Sequence, residues 1–326
     1  MKDALFSTAM TRLFDIDHPV LNAPMGDTAG GLLAAAVTRS GGLGFIGGGY
    51  GDPSWLEPQL ALVRGTRFGV GFVTFALADD DSALRSALAA KPVAVQLSFG
   101  DPRPYARRVH DAGALLVCGV GTEAEVATAL EAGADALVAQ GAGAGGHGRP
   151  GPSTMAVVGS VEEHADGRPV IAAGGFGDGR GLVAALSLGA AGVSMGTRFL
   201  ATTEAITAPA ELATVLAAGA ADTVRTDVFD VVRGPAWPDG HDGRVVRNEI
   251  VEHWEAGCGL DRATEMYAAG ADDDFGTRPV WAGEGVGAIR SVRPAADVMH
   301  QLMSDAAATL RTLSLLTVHA GSEVDR

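Results

Sequence analysis

Lysine is almost missing from this chain. Of 24 basic residues among 326, only Lys2 and Lys91 are lysines. Lys91 stands directly before Pro92 and an apolar run, so it opens a strand rather than closing one. In a barrel of parallel strands that end faces away from the catalytic rim. Aldolases that form Schiff bases, and pyridoxal-phosphate enzymes, need a lysine in the site, and none is offered. Cysteine is equally scarce. Cys118 and Cys258 cannot build a disulfide framework or a cysteine zinc site. Positive charge is short overall, 24 basic against 39 acidic residues for a net of −15, which excludes the electrostatic footprint of a nucleic-acid or anionic-membrane binder. No run approaches the roughly 18 apolar residues that cross a bilayer. The opening residues Met1, Lys2, Asp3 and Ala4 lack the apolar centre of a signal peptide. A soluble, cytoplasmic chain is expected, with no nucleic-acid or membrane partner; a homodimer is left open.

Several catalytic signatures are also absent. His18, His110, His164, His241, His253, His300 and His319 are scattered, and the first strand ends in Asn22-Ala23-Pro24-Met25 without an HxH pair. No metal site is expected. Successive strand ends carry no acidic triad, and Asp101 reads as the cap of a helix near Pro104. There is no G-x-S-x-G elbow. Gly30-Gly31 and Gly47-Gly48-Gly49 lack the GxGxxG spacing and the acidic residue about 20 positions later. Cys118, inside an apolar run, reads as buried filler.

What is present is a repeated unit. Apolar, β-branched runs ending in glycine or a turn begin at Pro19, Leu43, Phe68, Pro92, Ala114, Ala136, Pro169 and Gly192, in steps of 22–25 residues stretched once to 33. Each step holds one strand, one helix and two short loops. The stretches between are rich in alanine and leucine at helical spacing and close on Gly113, Gly133 and Gly189. Eight such units predict an α/β fold of the (β/α)₈ TIM-barrel type, with an open doubly wound sheet as the alternative. After the eighth strand the pattern changes. A short helix and extended runs at Val224–Val232 and Arg244–Val246 predict a small insertion between strand eight and the last helix. Residues 1–204 and 280–326 would form the barrel, and 205–279 a mixed helix and strand subdomain near the substrate pocket.

Chemistry in a barrel sits at the C-terminal strand ends. Strands seven and eight end in AAGGFGDGRG (172–181) and SMGTRF (194–199). Glycine amides and a helix N-terminus attract phosphate, so Gly174, Gly175, Gly196 and Thr197 are candidates for a phosphorylated ligand, against the plainer reading that they make tight turns. The loop QGAGAGGHGRPGPST (140–154) carries the only histidine at a strand end. Imidazole titrates near pH ~6.5, which makes His147 a candidate base or hydrogen-bond donor, unless it is a solvated bystander. A site so poor in reactive groups points to a cofactor.

The segments LNAPMG (21–26), AAAVTRSGGLGFIG (34–47), VAQGAGAGGHG (138–148), VIAAGGFGDGRGLVAALSLGAAGVSMGTRFLAT (170–202) and VWAGEGVG (280–287) resemble the nitronate monooxygenase family, formerly 2-nitropropane dioxygenases, over most of the chain. The resemblance implies an FMN-dependent barrel oxidising alkyl nitronates or nitroalkanes with molecular oxygen. Ala23, Pro24 and Met25 would line the flavin ring, and Gln140 and Gly145 would touch it. Gly174, Gly175, Ser194, Met195, Gly196 and Thr197 would hold the ribityl chain and phosphate. His147 matches the family's active-site histidine. Gly71 falls beside the flavin where the family usually has asparagine. In the loop, Gly143 replaces an acidic residue, and Gly148-Arg149 reverses the usual pair. Two other readings stay open: an NAD(P)H-dependent reductase resembling the flavin enoyl-acyl-carrier-protein reductases, and a flavin-free barrel binding a phosphorylated ligand.

Overall fold

The computed structural model describes residues 5–234 and 237–316. Lys2, Pro235 and His319, and the outermost parts of the expected barrel at 1–4 and 317–326, lie outside the described residues. The eight apolar runs form eight parallel strands: β1 (Val20–Asn22), β2 (Phe45–Gly49), β3 (Gly69–Val73), β4 (Ala94–Ser98), β5 (Leu115–Val120), β6 (Ala136–Gln140), β8 (Val170–Ala173) and β9 (Gly192–Met195). A short extra strand, β7 (Gly146–Gly148), lies in the long connection after β6. The barrel sheet runs β1-β9-β8-β6-β5-β4-β3-β2. Helices cover its outer face, so the strands are buried on both sides and read as continuous apolar runs.

The two ends of that order, β1 and β2, meet through little backbone pairing. The Leu43 N–H donates to Val20 O at 3.2 Å, and Leu21 bridges Leu43. A side chain completes the closure. Asn22 is fully buried; its Nδ2 donates to Phe45 O at 2.8 Å, and its Oδ1 accepts the Phe45 N–H at 3.0 Å. Inside the barrel Leu21, Phe45, Val117 and Ile171 pack with Met10 and Phe14. The last two belong to a short helix, Ala9–Phe14, that plugs the N-terminal end of the barrel. Gly192 must lack a side chain there, since a Cβ would come within 2.2 Å of Met10 Sδ. Outside, Leu33, Leu182 and Leu302 come from different helices and join one core. The final helix, Ala295–Leu316, fills the ring between Gly31–Arg39 and Gly179–Ser187.

The segment after β9 forms helix Pro209–Ala217, β10 (Thr223–Thr226), helix Val228–Arg233, β11 (Asp242–Val246) and helices Glu249–Glu255 and Gly259–Ala269. Only the first part of the expected extended run Val224–Val232 is a strand. Thr226 Oγ1 accepts the Val228 N–H at 3.2 Å and starts a helical turn, and Gly234, at φ 84°, ends it. Val228, Phe229 and Val232 share one face at helical spacing and pack with Ile250 and Ala263, which outweighs their β propensity. The antiparallel sheet β10-β11-β7 takes its third strand from the connection after β6. No described helix is long and apolar enough to cross a membrane.

Asn22→Leu leaves two buried backbone groups of Phe45 without partners. It is expected to cost about 2–4 kcal/mol, measured as a lower urea midpoint at unchanged slope. A variant as stable as the native chain would contradict this account of the seam.

Candidate active site

A cavity of about 440 Å³ opens at the C-terminal ends of the barrel strands, within the range of roughly 300–1,000 Å³ that holds cofactors and small ligands. The structure brings all the candidate residues to its wall. Ala23, Pro24 and Met25 come from the loop after β1, Gly71 from β3, Gln140, Gly145 and His147 from β6 and the loop after it. Gly174 and Gly175 follow β8, and Ser194, Met195, Gly196 and Thr197 end β9.

Backbone crowding explains much of the glycine. A Cβ on Gly71 would lie 2.4 Å from Pro24 Cγ, so a side chain at this position crowds the proline ring. Gly174 and Gly175 have φ of 118° and 77°, in the left-handed region that favours glycine. A Cβ on Gly174 would also strike Ala144 N at 2.9 Å. Thr197 Oγ1 accepts the Gly283 N–H at 2.9 Å, which leaves its own hydrogen to donate. A carboxylate from the far end of the chain stands beside Gly143. Glu284 Oε2 would lie 2.7 Å from a Cβ at 143, with Arg244 Nη2 at 3.6 Å from its other oxygen. Arg149 turns away to pair with Glu125 at 2.8 Å.

His147 sits in β7, opposite Gly243 of β11. Gln140 Nε2 donates to the His147 carbonyl at 2.7 Å. Arg225 Nη2 donates to Gly148 O at 2.7 Å, and Arg244 Nε to Ala142 O at 2.9 Å, so two arginines hold the carbonyls of this glycine loop. The imidazole Nε2 lies 2.7 Å from Asp230 Oδ1, with both side chains 11% exposed. One ring face stacks on Trp237 at 3.7 Å and 3°, and Trp281 packs at 4.7 Å. Trp237 meets Tyr50, Phe75 and Phe99 edge-on, and its Nε1 donates to Tyr50 Oη at 3.0 Å. Burial pushes the Tyr50 phenol up, against that hydrogen bond and the nearby Arg233, which pull it down. Burial also pushes the Glu211 carboxyl up on another wall.

Sequence reasoning missed several of these groups. Gln96, in β4, is 7% exposed; its Nε2 donates to Ser98 Oγ at 3.1 Å, and its Oε1 is buried without a partner among the described residues. A polar residue inside the apolar run PVAVQLS was the signal that could have found it. Asp230 gave none, lying 83 residues from His147. Cys118, by contrast, is buried as expected, its thiol pushed up to about 12 by desolvation. Asp101 accepts the Arg103 N–H at the start of helix Arg103–Asp111, also as expected. Among the described residues no group of three potential ligands could hold a metal.

A barrel cavity with one imidazole and a rim of glycine strand ends suits a site in which a bound cofactor carries the chemistry. Comparison with known proteins narrows the class. A family model described as nitronate monooxygenase matches residues 7–67 and 67–305. The chain belongs to the nitronate monooxygenase family. It is 32% identical over 334 residues to a nitronate monooxygenase of Neurospora crassa, covering 88% of each chain. FabK from Thermotoga maritima superposes with a TM-score of 0.83 at 30% identity, over 96% of this chain and 100% of that one. A nitroalkane oxidase from Streptomyces ansochromogenes gives 0.76 at 27% identity, over 93% and 99%.

Gly71→Asn, which restores the residue usual in the family, is expected to destabilise this chain by about 1–3 kcal/mol through overpacking against Pro24. Thermal unfolding reads the loss; an unchanged midpoint would show that the proline yields freely.

Proposed function

We propose that this chain oxidises alkyl nitronates, and more slowly neutral nitroalkanes, with molecular oxygen, using FMN bound in the barrel cavity. The observation that carries the reading is the unpartnered, buried Gln96 Oε1 facing the same cavity as the glycine strand ends and His147. An acceptor left bare in such a place costs roughly 1–3 kcal/mol, which a ring N–H would relieve. Gly174, Gly175, Ser194, Met195, Gly196 and Thr197 would hold the phosphate and ribityl chain. Ala23, Pro24, Met25, Gly71, Gln140 and Gly145 would line the ring. Bound there, FMN would supply the electron acceptor that the chain's own side chains lack.

The chain's own work falls to His147. With a neutral nitroalkane, the imidazole takes the proton from the carbon next to the nitro group. The electron pair of that C–H bond passes into the nitro group, giving the nitronate, and the ring becomes imidazolium. With a substrate that arrives as the anion no proton need be taken, and a protonated His147 donates a hydrogen bond to the nitro oxygens. Tyr50, Phe99, Trp237 and Trp281 line the cavity around this imidazole with aromatic surface. The likeness to FabK supports a second reading, reduction of the flavin by NADH or NADPH.

Anaerobic stopped-flow absorbance of the FMN-loaded protein separates the two. Ethyl nitronate is expected to bleach the flavin band, and NADH and NADPH to leave it; the reverse pattern overturns the proposal. His147→Asn is expected to retain FMN and to lose about 10²–10⁴-fold in turnover of nitroethane, the scale of a general base, with a much smaller loss on ethyl nitronate. Equal losses on both would contradict a base.

A further inference from the structure

We infer that Asp230, carried by the segment inserted after β9, is a positioning residue for His147. It fixes the proton on Nε2, so Nδ1 is the lone pair that meets the substrate. A carboxylate only accepts hydrogen bonds, so the ring nitrogen 2.7 Å from Asp230 Oδ1 carries the hydrogen. Among the described residues Nδ1 has no hydrogen-bond partner, and the side chain lines the cavity. The ring cannot readily turn over. Trp237 covers one face at an interplanar angle of 3°, Trp281 presses at 4.7 Å, and the β7–β11 pairing holds the main chain.

Asp230 is placed as firmly. Its neighbour Phe229 is fully buried against Trp281 and Tyr267, and the helix Val228–Arg233 is closed by the Gly234 N–H donating to the Asp230 carbonyl at 2.9 Å. In the proton transfer, the hydrogen leaves the substrate carbon for Nδ1 while Nε2–H stays on the ring. The resulting imidazolium faces a carboxylate already in contact, so the charge formed in the step is stabilised without reorganisation. The inserted segment is then half of the base and not only a wall of the pocket. The catalytic part of this inference rests on the nitronate reading, and the tautomer part stands without it.

The test uses the full-length, FMN-loaded protein labelled with ¹⁵N-histidine, with the His147 ring signals assigned by their loss in His147→Asn. Long-range ¹H–¹⁵N correlation spectra are expected to show Nε2–H in the native protein. In Asp230→Asn the amide can donate to Nε2, so the proton is expected to move to Nδ1, and nitroethane turnover to fall about 10²–10⁴-fold. Loss on ethyl nitronate is expected to stay under about tenfold, since a preformed anion does not need the lone pair. Asp230→Glu is expected to restore Nε2–H and much of the turnover. A native Nδ1–H, or an Nε2–H unmoved by Asp230→Asn, overturns the inference. A tautomer that moves as expected in a protein inert toward every nitronate and nitroalkane upholds the Asp230 contact and overturns the nitronate reading alone.

Discussion

Three residues of backbone pairing, Gly146–Gly148 against Asp242–Arg244, hold the only imidazole that lines the described cavity. The loop that carries it has glycine at 141, 143, 145, 146 and 148, and a sequence so rich in glycine loses much conformational entropy on being ordered. The cost is offset by the ladder to β11 and by Arg225, Arg244 and Gln140, each donating to a loop carbonyl. Burial holds the Arg244 guanidinium below its usual range, with Glu284 acting in the opposite sense. The place of Trp281 follows from that pairing. Trp281 can lie over β11 because Gly243 has no Cβ, which would come within 2.1 Å of the indole, and from there it packs on His147.

The cavity floor is governed by the same lack of side chains. Gly71 yields to Pro24, Gly47 to the Gly26 carbonyl, and Gly145 to the Gly283 amide, each within 2.4 Å of where a Cβ would stand. The result is a cavity wall to which these glycines contribute main chain without side chains. Such a surface suits a phosphate and a flat ring better than a reaction run by acids and bases alone. On the proposed reading, chemistry then concentrates in one place, the imidazole and the carboxylate behind it.

The barrel was legible because strands buried on both faces read as uninterrupted apolar runs, and a step of 22–25 residues leaves room for only one helix between them. Its seam was not. Asn22 in VLNAPM looks like the start of a loop until its amide is seen bonded to Phe45 across the gap. The helix Ala9–Phe14 is too short for periodicity to reveal, and the valines of Val228–Val232 suit a strand as well as a helix until their packing partners are known. In the site, the glycine strand ends and His147 were visible because the barrel architecture assigns function to those ends. Asp230, Trp237 and Trp281 were not, because tertiary folding alone brings the insertion and the return segment over the loop after β6. Glu284 shows the same limit: its carboxylate reaches the neighbourhood of Gly143 from 141 residues further along.

On the proposed reading, amides and hydroxyls at the ends of β8 and β9 grip the phosphate of a flavin. Titrating the flavin-free protein with FMN and with riboflavin, followed by quenching of flavin fluorescence, tests it most directly. One equivalent of FMN is expected to bind, more tightly than riboflavin by about 10²-fold or more, the scale of two charge-assisted hydrogen bonds. Equal affinity for the two, or no quenching by either, would contradict the account.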